Sequence, residues 1–144
     1  MLTIRFRKLR PGAIAPRAMS EGAAGLDLAS AAEGPLSLEP GERIGVPTGL
    51  ALEIPAGFEG QVRPRSGLAL RAGVTVLNAP GTIDSDYRGE VTVLLVNLGR
   101  DRHVIEPGDR IAQLIIAPVT RAELEESGEL TDTARGAGGF GHTG

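Results

Sequence analysis

An all-β fold is predicted for this 144-residue sequence by alternating apolar and polar residues, short β-branched runs, and Pro-Gly pairs between them. Leu2, Ile4 and Phe6 alternate with Thr3, Arg5 and Arg7, and Leu50, Leu52 and Ile54 repeat the pattern. That is the period of a half-buried strand. Segments 74–78, 90–97 and 110–116 are nearly continuously apolar, which predicts strands covered on both faces. Pro-Gly occurs at 11–12, 40–41, 80–81 and 107–108. Proline presets one turn position, and glycine accepts the positive φ that a type II turn needs at the next. Short strands with frequent turn signals predict a β-barrel or sandwich. Helix is limited to one or two turns at 66–73, with Ser66 as N-cap and Gly73 as stop. LEPGERI (38–44) echoes IEPGDRI (105–111), one turn-then-strand solution used twice. The polar stretch 121–130 has helical propensity but reads as an exposed connection, and composition alone makes 131 onward a tail.

Composition bounds the function. The length suits one domain. A net charge of −3 argues against coating nucleic acid or an anionic membrane, whereas a small phosphate ligand needs only local cations. Fourteen of the fifteen cations are Arg, whose planar fork suits phosphate oxygens. Cysteine is absent, which removes disulfides and Cys-based zinc sites. His103 and His142 alone cannot build a multi-histidine metal centre. Lys8 is the single lysine, so no phosphate loop ends in Gly-Lys-Ser/Thr. Charges within the first ten residues do not suit a signal peptide. VTVLLV and LIIAPV are too short to span a bilayer, and a cytoplasmic location is expected.

Four segments carry chemistry. RPRSGLAL (63–70) sets Arg63, Arg65 and Ser66 before a short helix, as an anion site or as surface arginines with an ordinary cap. LNAPGTIDSDYRGE (77–90) places Asp84 and Asp86 in a turn. A carboxylate there can deprotonate a water or hold Mg2+, yet Asp, Ser and Gly are also plain turn residues. Gln113 interrupts an apolar strand, and a buried amide needs partners. RGAGGFGHTG (135–144) is half glycine; with Arg135, His142 and Thr143 it can wrap a polyphosphate, with Phe140 free to stack on a flat ring, or it is a flexible terminus.

In order and spacing, AGLDLAS (24–30), RPRSGLAL, LNAPGTIDSDYRGE, GDRIAQLI (108–115) and RGAGGFGHTG resemble the five motifs of the trimeric dUTPases. The resemblance implies a distorted jelly-roll-like β-barrel (1–120), a polar connection (121–134) and a glycine-rich lid (135–144), assembled as a homotrimer with shared active sites. It implies hydrolysis of dUTP to dUMP and pyrophosphate, with Mg2+ held mainly by substrate phosphates and waters. Asp84 matches the carboxylate that activates the attacking water, and Gln113 the glutamine beside the phosphates. Arg65, Ser66 and Gly67 match the phosphate segment. Asn78 and Thr82 match the uracil-reading hairpin, and Tyr87 the aromatic against deoxyribose. Asp27 matches an acid giving indirect support to the metal. Arg135, Gly139, Phe140, Gly141 and Thr143 match the lid, with Phe140 over uracil and Thr143 near the γ-phosphate. His142 departs from the family pattern, which has Ser there. Fourteen extended residues reach roughly 45 Å, so the connection 121–134 can cross to a neighbouring subunit.

Three other readings compete. A dCTP deaminase, or a bifunctional deaminase and dUTPase, shares the barrel, but that family lacks the Gly-Phe-Gly arm and is expected to carry Glu in the hairpin. A catalytically silent nucleotide-binding trimer conflicts with five motifs whose charged groups are intact. RAELEESG (121–128) partly mimics a Nudix helix, but the positions expected to hold Glu are Gln113 and Ala122, and Pro107 replaces the expected Gly.

Overall fold

The computed structural model describes residues 1–143, which form ten strands and one helix. In chain order these are β1 (Arg5–Lys8), β2 (Leu26–Ala29), β3 (Leu36–Leu38), β4 (Arg43–Glu53), β5 (Phe58–Arg63), α1 (Ser66–Ala72), β6 (Val74–Val76), β7 (Gly81–Ile83), β8 (Glu90–Asn97), β9 (His103–Ile105) and β10 (Arg110–Pro118). Two four-stranded sheets, β1-β4-β8-β6 and β2-β10-β5-β7, and the pair β3-β9 are antiparallel throughout. Leu28, Val46, Leu50, Val74, Val93, Leu95, Ile105 and Leu114 meet in one apolar core. The predicted all-β, jelly-roll-like architecture with a single short helix is present.

The apolar strands are covered on both faces only in part, at Leu95–Asn97 of β8 and Ile111–Ala112 of β10; elsewhere one face is open. In β8, Val91, Val93 and Leu95 point inward, while Thr92 and Leu94 are exposed. In β10, Ile111, Ala112 and Leu114 are buried, and Gln113, Ile115 and Ile116 are half-buried. An antiparallel sheet within one chain needs only one packed face. The alternation at the N-terminus yields β1, an edge strand whose four residues are all exposed.

Two of the four Pro-Gly pairs form the expected glycine-dependent turns. Gly41 has φ +83° and Gly108 has φ +86°. In each, a residue three along donates its N–H to the first carbonyl, Glu42 to Glu39 at 3.0 Å and Asp109 to Glu106 at 3.0 Å. The same residue's carboxylate accepts the first N–H: Glu42 Oε2 from Glu39 at 3.0 Å, Asp109 Oδ2 from Glu106 at 2.9 Å. The echo in the sequence is this turn built twice, and β3 and β9, which lead into the two turns, pair with each other. Gly12 and Gly81 do not have positive φ; Gly81 follows the cis Ala79–Pro80 bond and opens β7.

The helix begins one residue differently from expectation. Arg65, extended at φ −93° and ψ 128°, is the N-cap, and Ser66 is already helical. Gly73 ends the helix at φ +67°, its N–H bonding Ala69. A Cβ there would lie 2.6 Å from the Gly99 nitrogen, so only glycine lets the helix end meet the loop after β8. That loop is pinned by Asn97, which is fully buried. Its amide donates to Leu38 O at 2.9 Å and Asp101 O at 2.8 Å, and accepts from Gly99 N at 2.8 Å.

Beyond β10, Val119 N bonds Gly57 O at 2.9 Å. Residues 121–137 are exposed, and no helix forms over 121–130. No helix among the described residues is long and apolar enough to cross a membrane.

Candidate active site

β7 pairs with β5 in the register Thr82↔Gln61 and leads into a tight hairpin. Tyr87 N bonds Asp84 O at 3.1 Å. Arg88 Nη1 braces the turn from outside, donating to Ser85 O at 2.7 Å and Tyr87 O at 3.0 Å. Tyr87 folds back, its hydroxyl donating to Glu90 O at 2.9 Å. The ring crosses Gly89 so closely that a Cβ there would lie 2.6 Å from Cζ and 2.9 Å from Cε2. Gly89 is therefore required by the placement of Tyr87. Its signal in the sequence was only that of a turn residue.

Asn78, Thr82, Asp84 and Tyr87 line one cleft of about 220 Å³, floored by Val62 and Val91. Glu90, also in the lining, is held at its Oε1 by Arg10 Nη2 at 2.6 Å and Gly49 N at 2.9 Å. Asp84 also borders a second cleft of about 370 Å³, with Glu59, Asp86 and Arg121. A carboxylate exposed between two clefts can meet both a ligand and a water.

A second group assembles where β2, β10 and β5 lie side by side. Gln113 stands opposite Asp27 on one flank and Arg63 on the other. Asp27 is buried, 8% exposed. Its Oδ2 accepts from Arg110 Nη1 at 2.9 Å and faces Arg65 Nε at 4.0 Å. Gln113 Nε2 donates to its Oδ1 at 3.4 Å, and Arg65 Nη1 donates to Arg110 O at 3.0 Å. A buried carboxylate is tolerated when such partners surround it. Asp27 thus faces Arg65 directly, while the main-chain carbonyl of Arg110 holds the Arg65 guanidinium and the Arg110 side chain pairs with Asp27; Arg110 is a residue that sequence reasoning missed. The available signal was an arginine inside GDRIAQLI, but its partner lies 83 positions away. Arg63 is not in the cluster; its guanidinium bonds Gln61 Oε1 at 3.1 and 2.6 Å. Ser66 is exposed and Gly67 half-buried beside Arg65.

The third group is the C-terminal arm. Its glycines shape turns: Gly136 N bonds Thr133 O, Gly138 N bonds Arg135 O, and His142 N bonds Gly139 O, each at 3.1 Å. Arg135 Nε donates to Gly138 O at 2.7 Å. Gly141 has φ +81°, and Phe140, with φ +51°, is fully exposed. Thr143 and His142 are exposed. Among the described residues, no hydrogen bond or ion pair joins the hairpin cleft, the Asp27 cluster and the arm.

No three His, Cys, Asp or Glu side chains converge to hold a metal ion among the described residues. Asp27, the acid singled out for metal support, has both oxygens engaged.

The dUTPase family profile matches residues 12–144. The chain belongs to the dUTPase family. The deoxyuridine 5'-triphosphate nucleotidohydrolase of Methylocella silvestris is 66% identical over 147 residues, 99% of this chain and 92% of that protein. Its counterpart from Syntrophotalea carbinolica is 57% identical over 143 residues, 99% and 97% of the two chains. Among solved structures, the dUTPase of Staphylococcus bacteriophage 80alpha with dUpNHpp aligns at TM-score 0.86 and 28% identity, covering 100% of this chain and 99% of that one. A dUTPase from phage phi11 of S. aureus, solved to show coordination of a structural Mg(II) ion, aligns at TM-score 0.79 and 26% identity over 89% and 98%. Within this dUTPase, the residues matching the family motifs fall into three separate groups.

Proposed function

We propose that this dUTPase hydrolyses dUTP to dUMP and pyrophosphate by attack of a water on the α-phosphorus, with Asp84 taking the water's proton. The observation that carries the reading is the convergence of Asn78, Thr82, Asp84 and Tyr87 on one cleft. Asn78 and the hairpin backbone read the uracil edge by hydrogen bonds, which cytosine mismatches. Tyr87 packs on the sugar and leaves no space for a 2'-hydroxyl. Pyrophosphate is a good leaving group, so the remaining demands are an in-line water and charge neutralisation. Asp84 orients the water. Arg65, held by Asp27 and Arg110, binds phosphate with Ser66, Gly67 and Gln113. Arg135, Gly139, Phe140, Gly141 and Thr143 close over the bound nucleotide. Mg2+, held mainly by the substrate phosphates and waters with Asp27 as indirect support, would supply further charge neutralisation.

The separation of the three groups within one chain supports a homotrimer whose active sites are shared, 1–120 forming the barrel and 121–134 carrying the lid 135–144 to a neighbour. Related phage dUTPases bind dUpNHpp, whose imido bridge replaces the oxygen at the bond to be broken. The reaction limits uracil in DNA and supplies dUMP for thymidylate synthesis, and we place it in the cytoplasm. The Asp-centred hairpin and the Gly-Phe-Gly arm favour it over dCTP deamination.

Pyrophosphate release should be measured with dUTP and each standard dNTP, with and without Mg2+, alongside ammonia release from dCTP. Release from dUTP alone, dependent on Mg2+, is the expected result. Ammonia from dCTP, or equal release from every dNTP, would overturn the reading. Two smaller effects follow from the geometry. Gly89→Ala drives a Cβ into the Tyr87 ring, so KM for dUTP should rise about tenfold, equivalent to 1.4 kcal/mol; an unchanged KM would free Tyr87 of its role. Asp27→Ala leaves Arg110 and Arg65 without their buried carboxylate. It should lower unfolding free energy by about 1–3 kcal/mol, read from the urea midpoint, and raise KM.

A further inference from the structure

We propose that Arg71 is a further phosphate-binding residue of this site and makes its affinity depend on phosphate-chain length. The proposal rests on the reading of Arg65, Ser66 and Gly67 as the phosphate segment. Arg71 lies four residues after Gly67 in α1, on the same helical face, and helical side chains lean toward the preceding turn. The guanidinium lies across the bare Cα of Gly67. A Cβ there would lie 3.0 Å from Nη1 and 3.5 Å from both Cζ and Nη2. A basic residue in a last helical turn commonly reaches forward to the free carbonyls. Arg71 instead folds back beside Ser66 and Gly67.

The charge distribution gives that position its meaning. Four arginines stand in or beside this part of the fold. Arg63 is bonded to Gln61, Arg110 to Asp27, and Arg65 to Arg110 O while facing Asp27. Arg71 has no hydrogen bond or ion pair among the described residues. Its five donors and its whole charge are available to an anion. On its other side, the helix end and residues 98–103 border a cleft of about 470 Å³ into which Arg100, Arg102 and His103 also face. Asp101 is the one acid in that lining, and Arg102 is only loosely paired, 3.9 Å from Glu39. The local excess of cations favours the most highly charged nucleotide. On this assignment the terminal phosphates of a triphosphate would meet this charge, and the α-phosphate of a monophosphate, held near Asp84, would not.

Calorimetric affinities for dUMP, dUDP and dUpNHpp test this in the wild type, Arg71→Gln and Arg71→Lys. Arg71 is exposed, so its replacement should leave the melting temperature unchanged. Arg71→Gln should weaken dUpNHpp binding about ten- to a hundredfold, the range of a lost charged hydrogen bond, and leave dUMP affinity unaltered. KM for dUTP should rise more than kcat falls. Arg71→Lys should recover part of the loss, since it keeps the charge without the fork. Unchanged dUpNHpp affinity in Arg71→Gln, or an equal loss for dUMP, would overturn the assignment. A wild type that binds dUpNHpp no better than dUMP would instead refute the phosphate segment itself.

Discussion

Asp84→Asn is expected to lower kcat by about 10²-fold or more, while dUpNHpp binds nearly as to the wild type. The substitution keeps size and polarity and removes the proton acceptor. The hairpin does not depend on the Asp84 side chain: its closing bond runs from Tyr87 N to Asp84 O, and Arg88 bonds the carbonyls of Ser85 and Tyr87. Asn78, Thr82 and Tyr87 therefore keep their places. The loss should appear in kcat and kcat/KM together, the pattern of an interaction made in the transition state. Single-turnover rates separate this from slowed product release. Normal turnover by the variant would remove Asp84 as the base.

Removing residues 135–144 should reduce kcat by about 10²-fold or more, the size of effect seen when transition-state donors are lost. The barrel should melt as before. The last hydrogen bond from this end of the chain to the barrel, among the described residues, is Val119 N to Gly57 O. Residues 121–137 are exposed, and Phe140 covers nothing in its own chain. Such a segment has no core contacts to lose, so a large catalytic effect with no thermal shift would isolate a role in closure. Mixing the truncated chain with an Asp84→Asn chain adds a second readout. If arms cross between subunits, mixed assemblies should recover activity that neither parent has. Full activity of the truncated chain alone would refute the lid.

Much of this was legible because the signals are local. The Pro40-Gly41 and Pro107-Gly108 turns depend on residues a few positions apart and appear as expected; Leu50, Leu52 and Ile54 are buried as their spacing predicts, but Ala51 between them is buried too. The hairpin 77–90 carried its chemistry in one continuous segment, so Asn78, Thr82, Asp84 and Tyr87 could be named together. What remained hidden depends on distant partners. Arg110 reads as an ordinary strand-edge charge until β10 lies against β2 and meets Asp27. Asn97 stands in an apolar run, and its reason is the carbonyl of Leu38, far away in the chain. Leu94 looked buried because hydropathy does not distinguish a core face from an outer one. Ser66 looked like a helix cap by type, yet Arg65, extended just after β5 and Pro64, takes that place.

The twin turns have a mechanical consequence. Each clamps its first residue from two directions, through a main-chain N–H and a carboxylate, so the strand that follows leaves at a fixed angle. In the second copy that strand is β10, and its next residue is Arg110. The pairing of β2 with β10 shifts register between Arg110 and Ala112, immediately after the clamp. The turn at Glu106–Asp109 thus fixes where β10 starts, and the register shift brings Gln113, four residues on, opposite Asp27. The β3-β9 pair, which contributes no residue to the hairpin cleft, is the anvil against which that register is struck.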